Sequence, residues 1–448
     1  MKNKTGYPFL LTVLIIVILL GLYYIPRPTI NGFTPRRVNL LSDIEKKEPE
    51  PTFTDTLLPP PPVKPIAVRD TIPEGMTCII DYADSTQKGM KPLYKALDNC
   101  EDNVVHIAWL GDSFVEADIL TSDLRRMLQG YFGGCGVGFV DITSITHGMR
   151  PTISHEYANW RTHSISDSTG CDSKRIGLSN KYFIPQPGAW VEGRLNRKNY
   201  PDSCYTASIL FNAPEEITLS AQINKGEADT FNICTHDEIQ AKELYGNIRQ
   251  VKWEVHQSDN NTTFYGMTFD GKNGVSLDNF GVRSSSGLTL RSIPLNRLHQ
   301  LARLRPYDLI ILQYGLNVAT ERGYDYDYYR KGINLVIEHL KEAYPHAGFL
   351  LIGVGDRKMK DEEGNLKTMP GVINLMRYQQ KIAEENHIAF WNLYDAMQTE
   401  GGIEGMVNAR PSQANLDYTH INFRGGKVLA KKLYEAIIFG KKQYDKGF

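Results

Sequence analysis

The chain has 448 residues, of which 41% are hydrophobic and 23% are charged, a composition typical of a globular protein with two or three domains. Its 50 basic and 51 acidic residues nearly cancel, and no run rich in lysine or arginine occurs. Because nucleic-acid binding depends on basic surfaces, this balance excludes a nucleic-acid partner from our expectations.

The first predicted element is a membrane anchor. Lys2 and Lys4 precede an uncharged run over residues 8–25, which as a helix would span about 27 Å, close to the thickness of a bilayer core. A cleaved signal peptide is the alternative, but this run ends in tyrosines and Pro26 instead of small residues. We therefore expect residues 1–25 to form a cytoplasmic tip and an uncleaved transmembrane helix in the inner membrane. The remainder would face the periplasm or the cell exterior.

Residues 26–74 are rich in proline and charge and contain little that a core could bury, which predicts an extended linker. The six cysteines form no C-x-x-C pair, so the sequence gives no sign of a zinc site. Their oxidation in an exported protein remains open, and the sequence does not choose among the pairings. We expect no metal and no cofactor.

Alternating strand and helix patterns predict an α/β domain with a doubly wound parallel sheet. Apolar runs bounded by turn residues predict its strands at 103–111, 274–281, 308–315, 348–355 and 388–394. Helical spacing of apolar residues predicts helices at 117–132, 326–343, 370–386 and 422–438.

A different texture interrupts this domain between residues 150 and 272. Short alternating runs such as "YTASILF" and "QVKWEVHQ" are separated by Gly, Asn, Asp and Pro, which predicts short antiparallel strands in a β-sandwich. The α/β domain would then consist of residues 75–149 and 273–448, with the β-sandwich inserted between them.

Polar residues follow several predicted parallel strands, where ligands of open α/β sheets bind. Ser113 follows the first strand, Gly281 and Asn317 follow two others, and Asp417 and His420 come before the last helix. These residues suit acyl transfer. His420 would take the proton of the Ser113 nucleophile, while Asp417 would orient the imidazole. The Ser113 and Gly281 N–H groups and the Asn317 amide would form the oxyanion hole.

The segments "GDS", "GLN" and "DYTH", together with the looser block at Gly281, resemble the four blocks of SGNH (GDSL-like) hydrolases. This resemblance implies a flavodoxin-like fold with Ser113, Gly281, Asn317 and His420 as marker residues. Val318 departs from the wider superfamily, where Asp frequently follows the Asn.

A narrower resemblance is to exported bacterial peptidoglycan O-acetylesterases and O-acetyltransferases. It is carried by "GDSFVEADILTSDLRRMLQGYFGGCGVGF" and "LDYTHINFRGGKVLAKKLYEAI". Those proteins carry a β-sandwich, likened to carbohydrate-binding modules, where residues 150–272 lie in this chain.

The resemblance implies a serine esterase that removes O-acetyl groups from a cell-envelope glycan such as peptidoglycan through an acyl-serine intermediate. The first alternative is an O-acetyltransferase with the same triad, supplied with acetyl by a membrane donor protein. The second is a glycan-binding envelope protein without catalytic activity. The sequence does not distinguish water from a sugar hydroxyl as the acceptor.

Overall fold

The computed structural model describes residues 64–84, 89–167, 170–196 and 203–447, together with Leu10, Leu11 and Leu14. Apart from those three leucines, the predicted anchor at 8–25 lies outside the described residues, as does most of the predicted linker. Within the described ranges, no helix combines the length and the apolar character that a bilayer span requires. The chain divides into the units 1–60 and 61–448, and the second contains all the elements below.

In the described part of the chain, the first strands are β1 (Ile79–Asp81), β2 (Val104–Gly111), β3 (Gly138–Val140), β4 (Ile153–Ser164), β5 (Lys181–Leu195), β6 (Cys204–Ala213), β7 (Ile217–Ile223), β8 (Ala228–Ile233) and β9 (His236–Ile248). The later strands are β10 (Gln250–Gln257), β11 (Thr263–Asp270), β12 (Gly274–Gly281), β13 (Leu309–Gln313), β14 (Gly348–Ile352), β15 (Lys358–Lys360), β16 (Leu366–Thr368) and β17 (Ala389–Trp391).

The helices in the same part of the chain are α1 (Lys91–Leu97), α2 (Thr121–Phe132), α3 (Leu295–Leu304), α4 (Asp327–Ala343), α5 (Pro370–Glu385), α6 (Leu393–Gln398), α7 (Gly402–Asn408) and α8 (Phe423–Asp445). A short 3₁₀ turn at Glu116–Asp118 precedes α2. The predicted helix at 117–132 thus begins later than expected, because Ala117 and Asp118 have positive φ angles that no α-helix accommodates.

The α/β part contains a six-stranded sheet in the order β1-β17-β14-β13-β2-β12. Neighbouring strands from β17 to β12 are parallel, and β1 is antiparallel at the edge. Strands β13 and β14 are buried along their whole length, as expected for parallel strands covered on both faces. The predicted mixed α/β fold with a parallel sheet is therefore confirmed.

The segment from β3 to β11 is all-β and antiparallel, with a core of its own built around Trp253, Phe211 and Phe264. Strand β5 pairs with β4 along one edge and with β11 and then β10 along the other. All these strands are therefore connected in one nine-stranded sheet. The two-sheet sandwich remains a prediction.

The boundary of this all-β segment differs from the expected start at residue 150. Strand β3 (Gly138–Val140) pairs with β11 and so joins the antiparallel sheet. It was too short to show an alternating pattern in the sequence.

Candidate functional site

Three strand ends meet at one edge of the parallel sheet. In the register of the sheet, Gly111 at the end of β2 lies beside Gly281 of β12 on one side and Gln313 of β13 on the other. The loops that follow these strands therefore leave the sheet side by side. This arrangement brings residues 113, 281 and 317 to the same edge, as their positions in the sequence predicted.

Ser113, His420 and Asp417 form one hydrogen-bonded row at this edge. Ser113 Oγ lies 3.2 Å from His420 Nε2, and His420 Nδ1 lies 2.8 Å from Asp417 Oδ2. With the Nδ1 proton donated to the carboxylate, Nε2 is left as the acceptor for the Ser113 hydroxyl. The row can therefore draw a proton from Ser113 and stabilise the resulting imidazolium.

The Asp417–His420 turn is organised by its own short sequence. Asp417 Oδ1 accepts the backbone N–H groups of Thr419 at 2.9 Å and His420 at 3.0 Å, while Oδ2 holds the imidazole. Burial alone would raise the pKa of Asp417, but these donors and the His420 ring together hold that pKa below its usual value. The carboxylate is therefore ionised at neutral pH, although 48% of the side chain is exposed.

The buried Asp112 side chain links the turn at Ser113 to the neighbouring loop after β13. Its side chain, only 2% exposed, accepts the N–H of Phe114 at 3.0 Å. Burial raises the pKa of Asp112 to about 6, against the stabilising effect of that bond and of the N–H groups of Gly315 and Leu316. Asp112 therefore supports the turn at Ser113 and also contacts the loop that carries Asn317.

A buried charge cluster holds the segment directly after the nucleophile. Asp118 is completely buried, and its carboxylate accepts hydrogen bonds from Arg125, Arg150, Thr121 and Thr152. Burial would raise its pKa, but the two guanidinium groups hold the pKa of Asp118 well below the ordinary value. Arg150 and Thr152 lie at the start of the all-β segment, so this cluster ties that segment to the nucleophile loop.

Asn317 lies beside Ser113 in the lining of one cavity. Its side-chain Nδ2 donates one hydrogen bond to the Ser285 carbonyl at 3.0 Å. A carboxamide nitrogen carries two protons, so one proton remains for an oxyanion next to Ser113.

Gly281 is placed differently from the prediction. Its N–H donates to Asn279 Oδ1 at 2.8 Å, and Gly281 is not among the residues that line the cavity. A side chain at this position would meet the Glu116 backbone N at 2.7 Å. The glycine therefore allows β12 to pack closely against the nucleophile loop, and its N–H is already committed.

Ser284, which the sequence reasoning missed, lines the cavity instead. Its φ angle of 61° turns the chain sharply after β12. The N–H groups of Ser113 and Ser284 find no acceptor among the described residues. In the sequence, Ser284 could be recognised as a polar residue a few positions after a strand end. The segment "RSSSG", however, contains several residues that fit this description equally well.

The cavity at the row has a volume of about 400 Å³. One wall carries an ion pair in which Arg283 Nε and Nη2 donate to the same Glu116 oxygen at 2.9 and 2.7 Å. Met149, from the chain that leads into the all-β segment, forms another part of the wall. The cavity lining is thus polar at Ser113 and includes charged and apolar side chains elsewhere.

The sequence matches no family model and no curated protein. Among solved structures, one described as a peptidoglycan O-acetylesterase in action is 19% identical, covers 82% of this chain and 99% of that chain, and gives a TM-score of 0.67. The chain has the fold of that esterase. This likeness agrees with the fold expected from the resemblance to SGNH hydrolases. A family two carbohydrate esterase from Clostridium thermocellum, solved with cellohexaose, is 11% identical and covers 64% of this chain and 99% of its own, with a TM-score of 0.29.

Proposed function

We propose that the protein is a serine esterase that removes O-acetyl groups from a cell-envelope glycan, with peptidoglycan as the first substrate to test. The row formed by Ser113, His420 and Asp417 is the observation that carries this proposal. The fold shared with a peptidoglycan O-acetylesterase structure supports the choice of substrate.

In the proposed reaction, Ser113 Oγ forms a bond to the acetyl carbonyl carbon as its proton passes to His420 Nε2. The oxyanion is stabilised by the Ser113 N–H and the Asn317 amide, with the Ser284 N–H in the place first assigned to Gly281. The C–O bond to the sugar then breaks, and the sugar oxygen takes the proton from His420. Water, deprotonated by His420, releases acetate from Ser113.

The proposal also covers the organisation of the chain. Residues 75–149 and 273–448 form the catalytic domain and residues 150–272 the insert, with β3 (Gly138–Val140) contributing to the insert. One buried core lies within the antiparallel strands, and the other is built mainly, but not entirely, from residues 75–149 and 273–448. Residues 8–25 would anchor the enzyme in the inner membrane, with the catalytic domain outside. The uncharged sequence supports this placement.

The deciding experiment is Ser113→Ala in purified protein. We expect acetate release from 4-nitrophenyl acetate and from O-acetylated peptidoglycan to fall at least about 10³-fold, since the nucleophile is lost. Ser166→Ala, an exposed serine of the all-β segment, is the matched control and should retain activity. Activity retained by the Ser113 variant would refute the acyl-serine mechanism. Transfer of labelled acetyl to an added glycan, instead of to water, would identify a transferase.

A further inference from the structure

Two consecutive residues after β14 contact two of the loops that form the candidate active site. The Arg357 side chain donates from Nη1 to the Leu316 carbonyl at 3.4 Å, in the loop after β13. The backbone N–H of Lys358 donates to the Tyr418 carbonyl at 3.1 Å, in the acid–base turn formed by residues 417–420. This short segment therefore links the loop that carries the oxyanion amide to the turn that carries the imidazole.

The position of Asn317 depends on the peptide group that joins it to Leu316. That group is planar, so the Leu316 carbonyl oxygen and the Asn317 Cα atom lie in one plane. Asp112, next to the nucleophile, accepts the Leu316 N–H, and Arg357 donates to the Leu316 carbonyl. Leu316 is thus held at both of its backbone polar groups. The contact with Arg357 acts on the plane from which the Asn317 side chain projects.

Arg357 has a firmly held backbone. Its carbonyl accepts the Met369 N–H at 2.9 Å, just beyond the paired ends of β15 and β16. The preceding residue, Asp356, is fully buried, and its carboxylate accepts the Thr368 hydroxyl at 3.1 Å and the Ile403 N–H at 2.9 Å. A group is positioned most precisely by a side chain that is itself fixed, and the backbone of Arg357 meets this condition.

The Arg357 guanidinium is partly buried and forms no ion pair with the described residues. The side chain of its neighbour Lys358, in contrast, pairs with Glu404. A guanidinium carries five N–H donors, and among the described residues the Leu316 carbonyl is the acceptor that they meet. The side chain therefore does not neutralise a described acid, and its contact is with the loop that carries Asn317.

We infer that Arg357 is a positioning residue, which holds the Leu316 carbonyl so that the Asn317 amide points to the oxyanion formed at Ser113. This role rests on the proposed function, because Asn317 acts as an oxyanion donor only in an ester-cleaving enzyme. Such donors must lie about 3 Å from the developing charge, and a displacement of about 1 Å is costly for the rate. The adjacent backbone contact keeps the same segment against the acid–base turn.

Arg357→Met removes the donor groups and keeps much of the side-chain length. With 4-nitrophenyl acetate, a neutral ester, it should lower kcat about tenfold or more, because a transition-state donor is displaced. KM should stay within about twofold, since binding of the ground state is not affected. Arg357→Lys keeps a donor and should retain more of kcat. Lys360→Met, which changes an exposed cation three residues later, is the matched control and should keep the wild-type kcat.

A double-mutant cycle shows whether Arg357 acts through Asn317. Asn317→Ala alone should lower kcat about 10²-fold or more, as expected for the loss of an oxyanion donor. In that background, Arg357→Met should cause less than about a twofold further loss, because the side chain that it positions is absent. Arg357→Leu replaces Arg357→Met in the cycle if the latter does not fold.

Three kinetic results would overturn the inference. The first is an unchanged kcat in Arg357→Met, and the second is a loss of the same factor with and without Asn317. The third is a loss confined to anionic esters, which would make Arg357 a residue that binds the substrate directly.

The position of Asn317 provides a readout without turnover. Its Nδ2 atom lies 3.0 Å from the Ser285 carbonyl. In crystals of Arg357→Met, the amide should leave this carbonyl or adopt more than one orientation, while the contact between Ser113 and His420 is retained. An Asn317 amide placed as in wild-type crystals would refute the positioning role.

These measurements separate this inference from the proposed function. A folded wild-type protein that hydrolyses neither 4-nitrophenyl acetate nor O-acetylated peptidoglycan would refute the proposed reaction, while the crystals would still test the position of Asn317. Hydrolysis that depends on Ser113 but not on Arg357 would support the reaction and refute the positioning role.

Discussion

The two halves of the reactive row are held in different ways. Asp417 and His420 are about half exposed, and the hydrogen bonds of the Asp417 carboxylate run to residues no more than three positions away. The loop after Ser113 is held by Asp118, which is completely buried and paired with Arg125 and Arg150. The Asp417 carboxylate is therefore held by local contacts, whereas the loop after Ser113 depends on distant parts of the chain.

Because of this difference, substitutions in the exposed turn should affect the reaction, whereas substitutions in the buried cluster should affect stability. A change in the exposed turn removes a charge that solvent can replace, so the fold should tolerate it. A change in the buried cluster removes a carboxylate that pairs with two guanidinium groups in a region closed to water. The following predictions test this separation, beginning with the largest expected effect.

Asp417→Asn should lower kcat for ester hydrolysis by about 10³–10⁴-fold, because the imidazole loses the carboxylate that sets its tautomer. The free energy of unfolding should change by less than about 1 kcal/mol, since the side chain is largely solvated. Steady-state kinetics and urea unfolding measure the two effects. Glu362→Gln, an exposed acid on a neighbouring loop, is the control. A large loss of stability would contradict the local origin of this turn.

Asp118→Asn should destabilise the protein by about 3–5 kcal/mol, because it removes the buried carboxylate that Arg125 and Arg150 share. Chemical denaturation monitored by tryptophan fluorescence measures this loss. Asp123→Asn, which breaks the more exposed pair with Arg126, should reduce the stability by less than about 1 kcal/mol. Equal effects of the two substitutions would remove the distinction between buried and exposed charge.

Asp112→Asn should change how stability depends on pH. Because the folded pKa of about 6 lies above the ordinary aspartate pKa of 3.8, the folded state binds the proton more tightly, and wild-type stability falls as pH rises through this interval. This contribution is about 3 kcal/mol and is absent in the variant. Unfolding curves should therefore show that the free energy of unfolding of the variant, relative to that of the wild type, is higher at pH 7 than at pH 4. Parallel curves would show that Asp112 titrates normally.

Arg283→Gln should have the smallest effect on stability. Its partner Glu116 is mostly buried, but 56% of the Arg283 side chain is exposed, so solvent compensates for much of the lost ion pair. We expect a change below about 1 kcal/mol in the free energy of unfolding. Arg126→Gln, in another exposed pair, is the comparison. A loss of stability comparable to that of Asp118→Asn would show that the ion pair in the cavity wall contributes as much to stability as the buried cluster does.

The sequence was sufficient to predict the strand ends and the row of Ser113, His420 and Asp417. Parallel strands have continuous apolar runs, and the residues after them meet at one edge by topology alone. The spacing of Asp417 and His420 by three residues lets one carboxylate accept local N–H groups and orient the imidazole. Neither inference needs knowledge of how distant side chains pack.

Other features could not be predicted in this way. Gly281 was assigned an oxyanion donor because it follows a strand, yet its N–H is bonded to Asn279 and its small size serves close packing. The role of Asp118 also remained hidden, since its partners come from α2, from the chain before β4 and from β12. Hydrogen-bond commitments and steric contacts of this kind exist only once the chain is folded.

The amino-acid sequence by itself determined the α/β class of the protein and the residues of its acid–base turn, because periodicity and short-range hydrogen bonding depend on neighbours in the chain. Tertiary structure decided which N–H groups face the cavity at Ser113 and how the nucleophile loop is held. The physical reason is that burial, charge pairing and steric exclusion act between residues brought together from distant positions.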